Sequence, residues 1–139
     1  MRASGFLIVA ALLLAAIAGC ATEPISASAA GAVSWENHLL YTSAHQGTVP
    51  VTIVRDEGLT ASGCAARVLV NDLVAAYVRA AEKVTLHIPP GDYILGVDGP
   101  YCLRGLVEVE ANVRLGKPRS YRIGFDADGA TGLYPTVNR

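Results

Sequence analysis

The residues of this chain best suited to covalent chemistry are its three cysteines. A cysteine thiolate can act as a nucleophile or a metal ligand, and both uses need an imidazole or a further ligand nearby. The cysteines are Cys20, Cys64 and Cys102, and the candidate imidazoles are His38, His45 and His87. None of these histidines stands at zinc-ligand spacing from another histidine or a cysteine, so the pattern does not predict a metal site.

Cys20 follows a leader with the parts of a secretory signal. Arg2 supplies the positive charge, and the apolar run from Phe6 to Ile17 is too short to span a bilayer. The small residues before Cys20 resemble the lipobox of bacterial lipoproteins. That resemblance implies removal of residues 1–19 and a lipid on Cys20, and Ala21, in place of Asp, implies export to the outer membrane facing the periplasm. Several acyl chains would hold the protein permanently, since each buried methylene contributes about 0.8 kcal/mol.

Cys64 and Cys102 remain, and we expect them to form a disulfide. The Asn71-Asp72 turn and the Pro89-Pro90-Gly91 turn fold the intervening strands so that both cysteines lie at one end of a sheet. Paired cysteines are typical of compartments outside the cytosol. The alternative is a thiol-dependent or metal-binding periplasmic enzyme that uses Cys64 with one of the histidines.

The other polar groupings do not predict a catalytic site. The run Asp126–Gly129 lacks the later acidic positions of a calcium-binding loop, so we expect a β-turn there. Glu108 and Glu110 alternate with valines on one strand, where their charges would simply face water. We therefore expect neither catalytic activity nor a cofactor.

Length and charge favour one small domain. The 139 residues carry a net charge of −1 without a basic cluster, so nucleic acid is not an expected partner. Residues 20–34 are small or polar, which predicts a lipidated cysteine followed by a flexible tether. The folded domain is expected to occupy residues 35–139.

The pattern within that domain is β. About seven short strands are expected, and the clearest are 51–54, 67–70, 73–78, 83–88, 93–97, 107–115 and 120–125, with a last edge strand at 133–137. Residues 35–41 fit a short helix and a first strand equally well. One apolar face on each strand requires a second sheet to cover it, which predicts an antiparallel β-sandwich. The expected core consists of Val51, Ile53, Val68, Val70, Val84, Leu86, Ile88, Ile94, Val107, Val109, Val113, Tyr121, Ile123 and Phe125.

The segment 62–97, with its two tight turns, and the closing run from Tyr121 to Phe125 also resemble small bacterial lipoproteins that carry a PEGA-like, transthyretin-related β domain. This resemblance implies a fold rather than an activity. Taken with the leader, it suggests a lipid-anchored, non-catalytic module that binds the membrane through its lipid and docks an envelope protein or polymer through sheet edges and end loops. The partner, the pathway and the leaflet stay open.

Overall fold

The computed structural model describes residues 21–99 and 102–137. Cys20, the leader before it and Tyr101 lie outside the described residues. Within the described part, strands make up a two-layered β-sandwich, and the only helical turn there is the short 3-10 turn Trp35–Asn37. None of the described residues belongs to a helix that is long and apolar enough to span a bilayer.

The strands divide into two sheets. The five-stranded sheet has the order β1-β5-β2-β8-β9, and the four-stranded sheet has the order β4-β3-β6-β7. The bounds are β1 Gly31–Ala32, β2 Val49–Arg55, β3 Ala66–Val70, β4 Leu73–Val78, β5 Glu82–Ile88, β6 Gly91–Asp98, β7 Val107–Val113, β8 Arg119–Phe125 and β9 Thr131–Thr136. The expected all-β sandwich is confirmed, but it is not antiparallel throughout, because β8 pairs with β2, and β1 with β5, in parallel. The strand β1 is one that the sequence pattern does not predict.

The predicted hairpin between β3 and β4 is present. Asn71 and Asp72 have φ angles of 47° and 65°, which suits residue types that tolerate positive φ in a two-residue hairpin turn. The register between these strands shifts between Val68 and Leu69, because Ala75 is an extra residue on β4. At this bulge Ala75 and Ala76 are both buried, although neighbours on a regular strand face opposite sides.

The core forms where the inner faces of the two sheets meet. Most of the expected residues are buried there, but the expectation for Ile94 is wrong, because its side chain is 39% exposed and Leu95 is buried instead. Both faces of β6 carry apolar residues, so alternation alone did not fix which one faces inward. Val107 and Val109 are only partly buried, because β7 is the outer strand of its sheet.

One open side of the sandwich is closed by the segment that follows β1. The 3-10 turn leads to Leu39 and Leu40, whose backbone N–H groups both donate to the carbonyl of Ala75 on β4. Next, the carbonyl of Tyr41 accepts a hydrogen bond from the backbone N–H of His87 on β5. Residues 35–41 therefore join the edges of both sheets rather than forming a full helix or strand.

Candidate functional site

The disulfide between Cys64 and Cys102 is present, as the sequence predicted. Its Cα atoms are 6.2 Å apart, and the bond joins the loop before β3 to the loop after β6. Beside it, Arg67 at the start of β3 donates two hydrogen bonds of 2.6 Å to the carboxylate of Asp98 at the end of β6. We call this end of the sandwich, where β2, β6 and β8 finish, the disulfide end.

Arg55 is a buried cation at the disulfide end that sequence reasoning missed. Its guanidinium donates to the carbonyls of Ala61 and Cys64, at 2.6 Å each, and to the carbonyl of Val78 at 3.0 Å. It also lies 5.4 Å from the centre of the Phe125 ring. Burial lowers the pKa of Arg55, and the carboxylate of Glu82 opposes that shift. Arg55 thus links the end of β2 to the other sheet and to the loop that carries Cys64.

The position of Arg55 along β2 is the feature of the sequence that could have predicted its burial. Val49, Val51 and Ile53 are buried in the core from alternate positions of β2, and residue 55 continues that series. A charged residue at an inward position of a strand is a candidate for burial with partners.

Asp56 is buried on the opposite face of the sheet. Its Oδ2 lies 3.2 Å from Nε of Arg122 and accepts a hydrogen bond of 3.3 Å from the hydroxyl of Thr22. A Cβ on Gly124 would come within 2.7 Å of that oxygen, so the carboxylate fits only because residue 124 is glycine. Burial raises the pKa of Asp56, while Arg122 and Thr22 act to lower it.

Asp56 is buried, as many catalytic carboxylates are, but it does not line the cavity beside it. Its Oδ1 has no hydrogen-bond partner within the described residues. Thr22 covers Oδ2, and the neighbouring cavity of about 200 Å³ is lined by Arg122 and Val54 but not by Asp56. The arrangement therefore suits attachment of the N-terminal segment better than the binding of a substrate.

The expected tether at residues 21–34 is wrong for most of its length. Residues 22–33, which we call the strap, run along the five-stranded sheet and form backbone hydrogen bonds with it near both ends of the segment. Glu23 and Glu57 exchange bonds of 2.9 and 3.1 Å, and Val33 donates to Lys83 at 3.0 Å. Gly31 and Ala32 pair in parallel with the start of β5, and the ammonium of Lys83 donates to the carbonyl of Ala27. Tertiary hydrogen bonds thus order a segment whose composition favours disorder.

The histidines and Cys64 do not form one site. His87 lies near the end of β5 away from Glu82, and so at the opposite end of the sandwich from Cys64. Burial lowers the pKa of His38 and the charge of His87 adds to that shift, while backbone hydrogen bonds with Leu40 and Tyr41 oppose it. His45 lies in the turn before β2, where its backbone N–H donates to the hydroxyl of Thr48 and its carbonyl accepts from that hydroxyl. Nowhere in ranges 21–99 and 102–137 do three histidine, cysteine or acidic side chains converge as metal ligands.

The run Asp126–Gly129 is a turn, as expected. The carboxylate oxygen Oδ1 of Asp126 accepts hydrogen bonds from the backbone N–H groups of Asp128 and Ala130, at 3.0 and 2.9 Å. The backbone N–H of Gly129 donates to the carbonyl of Asp126. The first acidic residue of the run is therefore engaged in shaping the turn.

An acidic groove lies on the outer face of the four-stranded sheet. It has a volume of about 360 Å³ and is lined by Asn71, Asp72, Ile94, Glu108, Val109 and Glu110. Ile94 pairs with Glu110 across β6 and β7, so an exposed apolar side chain lies beside carboxylates. Glu108 and Glu110 are exposed, as expected for the outer face. This groove can accept a partner with cationic and apolar groups.

Comparison with models of known protein families found no match for this chain, and a comparison with curated proteins also found none. The functional assignment therefore depends on the residues themselves.

Proposed function

We propose that this protein is a lipid-anchored lipoprotein of the bacterial cell envelope, in which a β-sandwich acts as a non-catalytic binding or structural module. Cys20 carries the lipid, and the sandwich lies outside the cytosol at the periplasmic side of the outer membrane. The resemblance of its hairpins to PEGA-like domains is part of this proposal.

The observation that carries the proposal is the pairing of Cys64 with Cys102. Of the three cysteines in the sequence, this pairing leaves Cys20 directly after the hydrophobic leader. Disulfides form and persist in oxidising compartments, which include the bacterial periplasm. The bond and the leader thus point independently to export.

Non-catalytic action is supported by the engagement of the groups best suited to chemistry. The disulfide removes Cys64 as a thiolate nucleophile, and the guanidinium of Arg55 is bound by carbonyl oxygens. Asp56 lies beneath Thr22 and against Arg122. These contacts engage the groups in stabilising the fold.

The docking face of the module is the acidic groove. Asp72, Glu108 and Glu110 surround the exposed Ile94, so an envelope protein that presents cationic and apolar side chains is complementary in charge and polarity. Photocrosslinking in cells from Ile94→p-benzoylphenylalanine should capture this partner, and Glu108→Lys with Glu110→Lys should abolish the capture. Glu36→Lys, on the exposed 3-10 turn, is the matched control. Capture of a polymer, or equal capture by the lysine variants, would contradict this docking face.

Lipid attachment is tested by feeding cells an alkyne fatty acid and separating membrane from soluble fractions. The wild-type protein should be labelled and sediment with membranes, whereas Cys20→Ala should be unlabelled. A Cys64→Ser/Cys102→Ser protein should still be labelled, which controls for loss of other cysteines. Equal labelling of Cys20→Ala and the wild type would refute the proposed anchor.

A further inference from the structure

The contacts between the N-terminal segment and the sandwich begin at Thr22, close to the proposed lipid anchor. The backbone N–H of Thr22 donates to the carbonyl of Phe125 at 3.1 Å, and the Thr22 hydroxyl accepts from the N–H of Phe125 at 2.8 Å. Glu23 then forms its two backbone bonds with Glu57. The chain is therefore fixed to the disulfide end two residues after Cys20.

Two residues leave little freedom between lipid and domain. Even a fully extended chain of that length spans only about 7 Å. The headgroup region of one leaflet is itself roughly 5–7 Å thick. A domain held so closely must keep the Thr22 side of its surface at the lipid headgroups.

The loop after β2 presents an apolar side chain at this surface. A Cβ on Gly58 would lie 3.3 Å from Cα of Thr22, so the loop packs directly against the start of the strap. The next residue, Leu59, is 88% exposed. Leu115, which is 63% exposed, follows β7 at the opposite end of the sandwich and offers a matched comparison.

We propose that the disulfide end rests on the membrane and that Leu59 enters the headgroup region of the leaflet that holds the lipid. This inference rests on the proposed function, because it takes Cys20 as the anchor. In this orientation the membrane surface is the partner of the loop after β2, and the hairpin turn of β3 and β4 points away from the bilayer.

The charge of the disulfide end specifies the kind of lipid. Exposed carboxylates near Thr22 outnumber exposed guanidinium groups at this end; the former are Glu23, Glu57, Asp126 and Asp128, and the latter are Arg79 and Arg104. An acidic surface is repelled by anionic headgroups. Contact should therefore be strongest on zwitterionic phosphatidylethanolamine or phosphatidylcholine.

The test uses the full-length protein in cells, with p-benzoylphenylalanine in place of Leu59 or Leu115. After irradiation, phospholipid adducts are counted by mass spectrometry of the purified protein. Adducts at position 59 should exceed those at position 115 several-fold. Equal adducts at the two positions, or none at position 59, would overturn the proposed orientation.

A longer connection provides the second arm. Inserting about twenty Gly and Ser residues between Ala21 and Thr22 extends the reach of the connection to roughly 25 Å. The strap contacts are kept, but the domain is released from the surface. Adducts at position 59 should fall to the level at position 115, and undiminished adducts would show that the short connection does not set the orientation.

The lipid on Cys20 is measured in the same samples, which separates the two claims. A lipidated protein without adducts at position 59 refutes the orientation and leaves the anchor intact. A protein without lipid on Cys20 refutes the proposed function, and the orientation falls with it.

Reconstitution tests the lipid preference. The purified lipidated protein, labelled with p-benzoylphenylalanine at position 59, is placed in phosphatidylcholine vesicles with or without phosphatidylglycerol. Adduct yield should fall as the anionic fraction rises and recover in high salt. A yield that rises with the anionic fraction would contradict contact through this acidic end.

Discussion

At the scale of single residues, two neighbours at the end of β2 connect the parts of the domain. Arg55 points into the core and binds carbonyls of the second sheet and of the loop before β3. Asp56 points outward and holds Arg122 and the start of the strap. Consecutive residues of a strand face opposite sides, so one strand end stabilises both faces of its sheet.

Replacement of Arg55 should destabilise the protein more than replacement of an exposed arginine. Arg55→Met keeps the length of the side chain but removes the guanidinium donor from the carbonyls of Ala61, Cys64 and Val78, at a cost of about 3 kcal/mol. Arg79→Met, at an exposed position, should change stability by no more than about 0.5 kcal/mol. Urea unfolding of the two purified variants checks this. An Arg55→Met protein as stable as the wild type would mean that apolar packing can replace the hydrogen bonds.

Asp56 should give the protein a pH-dependent stability of definite sign. Because burial raises its pKa, the folded protein binds this proton more tightly than the unfolded chain does. The stability contribution of protonated Asp56 is complete below about pH 4, the ordinary range for aspartate. It is lost as the pH rises through the raised pKa of the folded state.

The comparison that isolates Asp56 is with Asp56→Asn, which cannot ionise. The free energy of unfolding of the wild type, minus that of Asp56→Asn, should decrease as the pH is raised from about 4 toward neutrality. Other titrating groups are shared by the two proteins and cancel in this difference. A difference that increases with pH would mean that Arg122 outweighs burial.

At the scale of elements, the parts that could be predicted are those specified by neighbouring residues. The hairpin turn at Asn71-Asp72 and the alternation of β5 are local patterns, and both are found in the structure. The disulfide followed from those turns because they bring the ends of the strands together. Ile94 could not be assigned in this way, since it and Leu95 are adjacent and equally apolar.

The strap could not be predicted, for a physical reason. Its side chains are mostly small and bury little apolar surface, which is the composition of a linker. Its order comes from backbone hydrogen bonds to Glu57, Lys83 and Phe125, which are distant in sequence. The burial of Arg55 and Asp56 likewise depends on partners from other elements.

The strap should be visible in amide hydrogen exchange. The N–H groups of Glu23 and Val33 are hydrogen-bonded to the sheet, so they should exchange much more slowly than those of an unstructured peptide. Thr22→Val removes the hydroxyl bonds to Asp56 and Phe125 and should speed exchange at Glu23. Thr42→Val, at an exposed position, is the control. If every N–H of the strap in the wild type exchanged immediately, the strap would be a flexible tether after all.

The disulfide joins two loops and should contribute a large share of the stability. It closes a loop with a sequence separation of 38 residues. In the chain-entropy model such a closure stabilises a fold by about 3–4 kcal/mol. Cys64→Ser/Cys102→Ser should lower the free energy of unfolding by that amount, and reduction of the wild type should lower it similarly. Unchanged stability in both cases would mean that the bond constrains the unfolded chain little.

At the scale of the whole molecule, the ends of the sandwich differ in character. The disulfide end holds the start of the strap, the buried Arg55 and the exposed Leu59. The acidic groove opens beside the hairpin turn of Asn71 and Asp72. With the lipid at Cys20, the first end would face the membrane and the groove would be available to a partner in the periplasm.

The most direct test of this account is the mass of the N-terminal tryptic peptide of the mature protein. No lysine or arginine lies between Cys20 and Arg55, so trypsin should release a single peptide that begins at Cys20 and ends at Arg55. Its mass should exceed that of the bare sequence by a diacylglyceryl group and an acyl chain. A peptide that begins before Cys20, or one that carries an unmodified thiol at Cys20, would contradict the account.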